Sequence, residues 1–289
     1  MKTGCVVTCA VLGEAVLKKQ PQLERLVRRV VPSATLLTHG VPGRLLDLTD
    51  PLFRISIADI QGLPPPRFRL RTGIGNRILR NHVMFIVFGY DQWNALQASG
   101  FVNASSDILD IGSGCGRLAM PIARIDGFRG TYTGIDVDAE MVEWCRGRFR
   151  DPRFTFHHAD VYSSIYNPDG SREPYVIPVA DESMDFVMSY SLFTHILEPE
   201  LVQYTEEASR VLRPGGTMMM TVFCLEDVQL GGRWTFSHRV GRSYLESELY
   251  PHAAVAYERA HLHEISEQAG FTDVRIEPSA VQSRLVGRK

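Results

Sequence analysis

The chain has 289 residues, a formal net charge of −2 and five cysteines. This length suits one large α/β domain with an added piece, or two small domains. With a slightly negative net charge, the chain lacks the basic excess that is typical of dedicated nucleic-acid binders. The cysteines are scattered without a CxxC pair, which favours separate reduced thiols in a cytoplasmic protein over a disulfide framework or a zinc site.

No apolar run reaches the roughly 20 residues that a membrane span requires. Cys5 to Leu12 is apolar behind Lys2, but the run is short and lacks a convincing cleavage site for a leader peptide. The sequence therefore predicts a cytoplasmic protein without a membrane partner.

The first 100 residues are predicted to form a helical extension that covers the active site. Glu14 to Val31 has apolar residues at helical spacing and predicts an amphipathic helix. Pro32 to Pro51 is predicted to be rich in loops. Asn76 to Ser99 is strongly apolar and predicts a buried helix that Gly100 ends.

Gly62 to Gly75 carries three prolines and then alternates basic with apolar residues. Prolines stiffen an extended segment, so the alternation predicts one basic face made by Arg67, Arg69 and Arg71. Such a face either is solvated or offers arginine to an anionic group of a substrate or cofactor.

The most informative stretch is Ile108 to Arg117, Ile-Leu-Asp-Ile-Gly-Ser-Gly-Cys-Gly-Arg. An apolar strand that breaks into glycines and opens a helix brings bare backbone close to a ligand. From Asp107 onward, predicted strands alternate with helices, which indicates a parallel sheet covered on both faces. The predicted strands are Ile108–Ile111, Gly130–Ile135, Phe154–His157, Met184–Ser189 and Thr217–Phe223, and the helices between them are Arg117–Ile125, Ala139–Phe149 and Pro199–Leu212.

Acidic residues stand at the ends of the first three strands, at Asp110, Asp136 and Asp160. Asp136 follows the last glycine by about 20 residues, where an acid binds ribose hydroxyls in nucleotide folds. A dinucleotide site would have glycine at the position of Arg117, so a nicotinamide dehydrogenase is disfavoured.

These motifs resemble those of the class I S-adenosylmethionine-dependent methyltransferases. The resemblance covers roughly Asp107 to Phe223 and includes Gly134-Ile-Asp-Val-Asp138, His158-Ala-Asp160 and Arg210-Val-Leu-Arg-Pro-Gly-Gly216. It implies a Rossmann-like, doubly wound, mostly parallel seven-stranded sheet with an antiparallel closing hairpin, predicted as Phe271–Ile276 and Val281–Val286. Residues 101–289 would form this methyltransferase domain, with S-adenosyl-L-methionine as cofactor and no metal.

The resemblance also implies roles for individual residues. The glycine loop would pass under the methionine part, Asp136 would hold the ribose, Asp160 would bond the adenine amino group, and Asp110 would brace the loop. The implied cofactor-binding set is Asp110, Gly112, Ser113, Gly114, Cys115, Gly116, Asp136, Val137, Asp160, Val161 and Ser189.

The acceptor side is predicted from two segments. Ser189 to Leu197 follows the fourth strand, where His195 is either a general base or a structural residue at the next helix start. Cys224 to Val255 is too long and aromatic for a simple connection and is predicted to be an inserted lid or a homodimer contact. A helix is predicted at Ala256 to Ala269. The candidate substrate-binding residues are Tyr190, Trp234, His238 and Arg239.

The leading hypothesis is methyl transfer to a small-molecule acceptor, most readily at oxygen. A first alternative is an RNA or protein methyltransferase that docks its substrate on an arginine strip formed by Arg67, Arg69, Arg71, Arg77 and Arg80. A second alternative is a non-catalytic, cofactor-binding interaction subunit.

Overall fold

The computed structural model describes residues 40–48, 62–72, 81–163, 166–229, 234–279 and 281–289. The predicted helix at Glu14 to Val31, together with Cys5, Cys9, Arg77 and Arg80, lies outside these ranges. The chain forms two compact units, Met1–Asn81 and His82–Lys289, and each is described by itself. This division lies before the boundary predicted near residue 100.

The first unit contains helices α1 (Gly40–Asp47) and α2 (Pro66–Arg71). Two predictions are wrong here, because α1 lies in the stretch expected to be loops and α2 replaces the expected extended segment. Proline fits the first turn of a helix, where the missing N–H costs no hydrogen bond. Phe68 and Arg69 are buried in α2, and Arg69 donates to the carbonyl of Pro64. The predicted basic face is therefore divided between buried Arg69 and half-buried Arg67 and Arg71.

The second unit begins with α3 (Asn81–Ala98), which buries Phe85, Trp93 and Leu96 as its apolar sequence predicts. The elements that follow are β1 (Ile108–Ile111), α4 (Ala119–Ile122), β2 (Tyr132–Asp136), α5 (Ala139–Arg148), β3 (Phe154–His158), β4 (Met184–Ser189), α6 (Glu198–Val211), β5 (Leu212–Cys224), α7 (Leu225–Gln229), β6 (His238–Val240), β7 (Ser243–Leu245), a 3-10 turn (Pro251–Ala253), β8 (Val255–Tyr257), α8 (Arg259–Gln268), β9 (Thr272–Glu277) and β10 (Ser283–Arg288).

The strands form one mixed sheet in which seven have the order β3-β2-β1-β4-β5-β10-β9. Strands β1 to β5 are parallel, and β10 pairs antiparallel with both β5 and β9. This arrangement confirms the predicted Rossmann-like sheet with its closing hairpin. The β1 residues are all buried, as a central parallel strand requires.

Three further strands extend the sheet beyond the predicted seven. β8 pairs in parallel with the last residues of β5, through Phe223 with Ala256 and Cys224 with Tyr257, and β7 and β6 follow antiparallel. The helix predicted from Ala256 begins instead at Arg259. Val255, Ala256 and Tyr257 are fully buried beside β5, so tertiary pairing overrides their helical tendency.

Helices α5 and α6 lie within one residue of their predicted bounds, and both have favourable residues at their ends. Asp138 caps α5 by accepting a hydrogen bond from the backbone N–H of Met141, and basic residues occupy the last turn of that helix. In α6, Pro199 and two acidic residues occupy the first turn. Within the described ranges, no helix combines the length and apolarity needed to cross a membrane.

Candidate cofactor and acceptor site

The carboxyl ends of the parallel strands lie at one edge of the sheet. Asp136, His158 and Ser189 are the last residues of β2, β3 and β4, and the glycine loop leaves β1 at the same edge. In the strand register, Asp110 pairs with Gly134 on one side and Met188 on the other. The topology therefore gathers the motif residues that are far apart in sequence.

The glycine loop has the backbone geometry that its sequence predicts. Gly112, Gly114 and Gly116 have φ angles of 82°, 55° and 76°, in the left-handed region that other residues resist. A Cβ atom on Gly116 would lie only 2.7 Å from the ring of Phe149. The amides of Gly112 and Ser113 both donate to the carbonyl of Ile135, which anchors the loop to β2.

Asp136 fastens the loop from the other side. One carboxylate oxygen accepts from the backbone N–H of Gly114 at 2.7 Å, and the other accepts from the N–H of Asp138 at 2.9 Å. Burial raises the pKa of Asp136 to about 6, although these two amide bonds favour the charged form. Each oxygen retains a lone pair with which it can accept from a hydroxyl.

Asp110 is buried next to Tyr132, and its predicted role in bracing the loop stays a prediction. Its carboxylate accepts a 2.5 Å hydrogen bond from the hydroxyl of Tyr132 on β2, and burial raises its pKa to about 6. The hydrogen bonds that hold the glycine loop come from Asp136 and Ile135.

The expected adenine side is built by the chain after β3. Asp160 is exposed, and its carboxylate accepts a 3.1 Å hydrogen bond from the side-chain amide of Asn167. His158 donates a ring N–H to the carbonyl of Val137 at 3.1 Å, which ties the ends of β2 and β3 together. Val137 and Val161 are half-buried against the main core cluster. Each valine directly follows an acid, Val137 after Asp136 and Val161 after Asp160, so the two valines offer apolar surface next to these carboxylates.

Two buried hydroxyls test whether these residues suit a cofactor. The side chains of Ser113 and Ser189 are buried, and neither oxygen has a hydrogen-bond partner among the residues described. A buried polar group without a partner is costly and points to a bound group that completes it. Together with the glycine loop and the carboxylate of Asp136, these hydroxyls fit a polar, nucleoside-containing cofactor.

The turn after β4 is strained and held from several sides. Ser191 has a φ angle of 68°, which is rare for a residue other than glycine. Its amide donates to the hydroxyl of Thr221 on β5 at 2.6 Å, and its own hydroxyl donates to the side-chain oxygen of Gln282 at 2.9 Å. The hydroxyl of Thr194 donates to the backbone carbonyl of Ser191 at 2.9 Å. Such strain persists only where the surroundings impose it.

This turn lies directly against the glycine loop. A Cβ atom built on Gly112 would be 3.2 Å from the Cβ of Leu192. On the same side, the guanidinium of Arg117 lies 5.6 Å from the ring centre of Tyr190, which is exposed. The two predicted segments therefore form one continuous surface.

His195 follows in the same turn, and its ring is fixed by the 3-10 segment. Its Nδ1 lies 3.0 Å from the carbonyl oxygen of His252. A carbonyl can only accept, so Nδ1 carries the proton and Nε2 keeps its lone pair. Burial lowers the pKa of His195, which keeps the imidazole neutral at pH 7. The ring thus has the tautomer and protonation state that a general base requires.

The structure places the other predicted acceptor residues in the strand extension. Trp234 packs on Phe223 and Phe236, with ring centres 5.2 and 5.8 Å away. His238 and Arg239 are exposed on β6, and Arg239 donates to the carbonyl of Gly241 at 3.0 Å. Their role in acceptor binding stays a prediction.

Sequence reasoning missed a second group beside His195. The rings of Tyr162 and His252 meet edge to face at 5.9 Å, and the guanidinium of Arg172 stacks on Tyr162 at 3.6 Å. These residues come from the loop after β3 and from the 3-10 turn. No motif joins positions so far apart, although the place of Tyr162 immediately after Val161 could have indicated the loop.

The strand order and the glycine loop define a methyltransferase domain of class I. A protein-family model described as "Methyltransferase domain" matches residues 108–216. This domain belongs to the S-adenosylmethionine-dependent methyltransferases and takes S-adenosylmethionine as its cofactor. In the described ranges, no group of three or more His, Cys, Asp or Glu side chains is arranged to hold a metal ion.

Individual relatives are similar over part of the chain. A probable S-adenosylmethionine-dependent methyltransferase of Mycolicibacterium smegmatis is 29% identical over 58% of this chain and 52% of its own length. A fatty-acid O-methyltransferase of the same organism is 30% identical over 39% of this chain and 36% of its own length. This chain thus spans about half of these relatives or less. The crystal structure of a SAM-dependent methyltransferase from Aquifex aeolicus gives a TM-score of 0.45 at 20% identity, covering 68% of this chain and 89% of that one.

Proposed function

We propose that the protein transfers the methyl group of S-adenosylmethionine to an oxygen of a small-molecule acceptor. The observation that carries this proposal is the fixed ring of His195, whose Nδ1 is committed to the carbonyl of His252 at 3.0 Å. The other ring nitrogen, Nε2, belongs to a residue of the turn that packs on the glycine loop at Leu192. A base in this position can take the proton of an acceptor hydroxyl as the new bond forms.

Besides a base, the transfer reaction requires the protein only to bind and orient the two reactants. The cofactor supplies a methyl group on a positively charged sulfur, which is a good leaving group. The residues of this chain must bind the donor, orient the acceptor in line with it and exclude competing water. The glycine loop and Asp136 suit the first task, and the turn from Ser189 to His195 suits the second.

The relatives support a small acceptor without fixing its identity. One is a fatty-acid O-methyltransferase, and another, from Aquipseudomonas alcaligenes, is an arsenite methyltransferase with 29% identity over 38% of this chain. The arginine strip of the polymer hypothesis is weakened because Arg69 is buried and Arg67 pairs with Asp47. A cytoplasmic location is supported by Cys115, Cys145 and Cys224, which are free thiols.

Two measurements test the proposal in sequence. Thermal unfolding with and without saturating S-adenosylhomocysteine should show a rise in melting temperature, because a ligand that binds only the folded state stabilises it. Radiolabelled S-adenosylmethionine is then offered to matched hydroxyl, amine and thiol acceptors, and mass spectrometry identifies the methylated atom. We expect methyl ethers or esters. Transfer confined to amines or thiols, or no thermal shift, would contradict the proposal.

A further inference from the structure

The loop after β3 presents an arginine at the edge of the acceptor region. Arg172 is exposed, and its guanidinium stacks on the ring of Tyr162 at 3.6 Å. The backbone fixes this placement, because the N–H of Ser171 donates to the carbonyl of Asp160 and the N–H of Tyr162 donates to the carbonyl of Ser171. The stack is therefore built into the loop that carries the predicted adenine acid.

Among the residues described, Arg172 forms no ion pair, as is also true of Arg129, Arg150, Arg239, Arg275 and Arg288, but its stack on Tyr162 is closer than that of Arg239 on Tyr244, at 5.2 Å. Other arginines each pair with at least one acid at 2.9 Å or less, namely Arg153, Arg210, Arg213, Arg242, Arg259 and Arg284. A planar guanidinium that is held in place and lacks an internal counter-ion is well suited to bind a carboxylate or phosphate through two parallel hydrogen bonds.

The position of the stack relates it to the candidate base. Tyr162 meets the ring of His252 at 5.9 Å, and the carbonyl of His252 holds His195. Arg172 is therefore connected to His195 through two residues, Tyr162 and His252. A small acceptor that contacts both would leave its anionic group at Arg172 and present a different atom to Nε2 of His195.

We propose that Arg172 binds an oxyanion, a carboxylate or a phosphate, of the methyl acceptor. The acceptor class is then a bifunctional molecule, with one anionic group for recognition and a separate hydroxyl for methylation. The aromatic face of Tyr162 sets the plane of the guanidinium, and the ring of His252 packs edge to face on Tyr162. This inference rests on the proposed transfer reaction, but the anion site can be tested without turnover.

The test uses phenylglyoxal, which modifies accessible arginines, followed by peptide mass spectrometry. The full chain is treated alone and with phenyl phosphate, benzoate or benzylamine, both with and without S-adenosylhomocysteine. Arg148 is the reference, since it is also exposed and lies over an aromatic ring, Phe149, at 5.9 Å. We expect an anion to slow modification of Arg172 at least fivefold and benzylamine to leave it unchanged. The more effective anion distinguishes carboxylate from phosphate recognition.

A binding measurement with variants completes the test. Calorimetric affinity for the more effective anion should fall at least fivefold in Arg172→Gln and stay within twofold in Arg148→Gln. Equal protection of both arginines, no protection of Arg172, or an Arg172 that does not react at all would overturn the inference. A normal thermal shift with S-adenosylhomocysteine alongside such a result would leave the proposed transfer reaction standing, whereas loss of that shift would count against the reaction itself.

Discussion

The cofactor side and the acceptor side of this domain are built in different ways. On the cofactor side, Gly114 and Asp136 are hydrogen-bonded across a separation of 22 residues, and backbone amides provide the donors. On the acceptor side, His195 and His252 are 57 residues apart, and Ser191 and Gln282 are 91 apart. The cofactor side is therefore encoded by strand ends and glycines that are close in sequence. The proposed acceptor site depends on side chains that only the completed fold brings together.

The largest expected effect is the loss of turnover when His195, the candidate base on the acceptor side, is replaced. His195→Asn keeps a side-chain N–H that can donate to the carbonyl of His252 but lacks a base. We expect turnover to fall about 10²-fold or more, with the affinity for S-adenosylhomocysteine changed less than about twofold. Initial rates with the acceptor identified by product analysis, and calorimetry, measure the two quantities. An active His195→Asn variant would show that His195 is only structural.

A glycine substitution tests whether the two sides are coupled. Gly112→Ala places a methyl group 3.2 Å from Leu192 at a residue with a φ of 82°. Strain of about 1–3 kcal/mol should weaken S-adenosylhomocysteine binding by about 10- to 100-fold. Gly127→Ala is the matched control, because its φ is 85° and nothing lies within 4 Å of the added atom. Similar affinities of the two variants for S-adenosylhomocysteine would show that the contact between Gly112 and the turn after β4 does not affect cofactor binding.

The buried acids of the cofactor side should make stability depend on pH. The pKa of Asp110 rises from 3.8 to about 6 in the fold, so its protonated form stabilises the protein. That contribution is fully present below pH 3.8 and is lost as the pH rises through about 6, a change of about 3 kcal/mol. The melting temperature of Asp110→Asn relative to wild type should therefore increase from pH 4 to pH 7. The exposed Asp126→Asn control should show no such trend.

The smallest expected effect concerns the strained turn. Ser191→Gly relieves the left-handed backbone at Ser191 but removes the hydrogen bond to Gln282, and these two changes nearly cancel. We expect the free energy of unfolding to stay within about 1 kcal/mol while turnover falls more than cofactor affinity. Chemical denaturation measures the first quantity. Unaltered turnover would show that the turn does not need this hydroxyl.

The sequence predicted the parallel sheet and the glycine loop well because their signals are local. Alternating strands and helices, glycines at Gly112, Gly114 and Gly116, and an acid at the end of β2 all act through neighbouring backbone. The seven-stranded sheet follows from them. The bracing role of Asp110 stays a prediction, and its carboxylate accepts a hydrogen bond from the hydroxyl of Tyr132.

The acceptor side was predicted only in outline. The segment from Cys224 was identified as an insertion, yet its β6–β7–β8 extension depends on pairing with the end of β5. Arg172 and His252 were missed because their neighbours in space are remote in sequence. In the first unit, α2 was predicted as extended since alternating residues suggest a strand, whereas the proline at its first turn favours a helix.

The length of β5 has a consequence for how such enzymes diversify. Its 13 residues pass from the sheet that binds the donor into the extension, which attaches only at the last two of them. The β6–β7 hairpin can therefore be lengthened or replaced without rearranging the strands under the glycine loop, whereas His252 and Tyr257 must stay because they hold the turn after β4. Natural variation in acceptor choice should concentrate in this hairpin, and a chimera that exchanges it would change part of the acceptor region while keeping a common methyl donor.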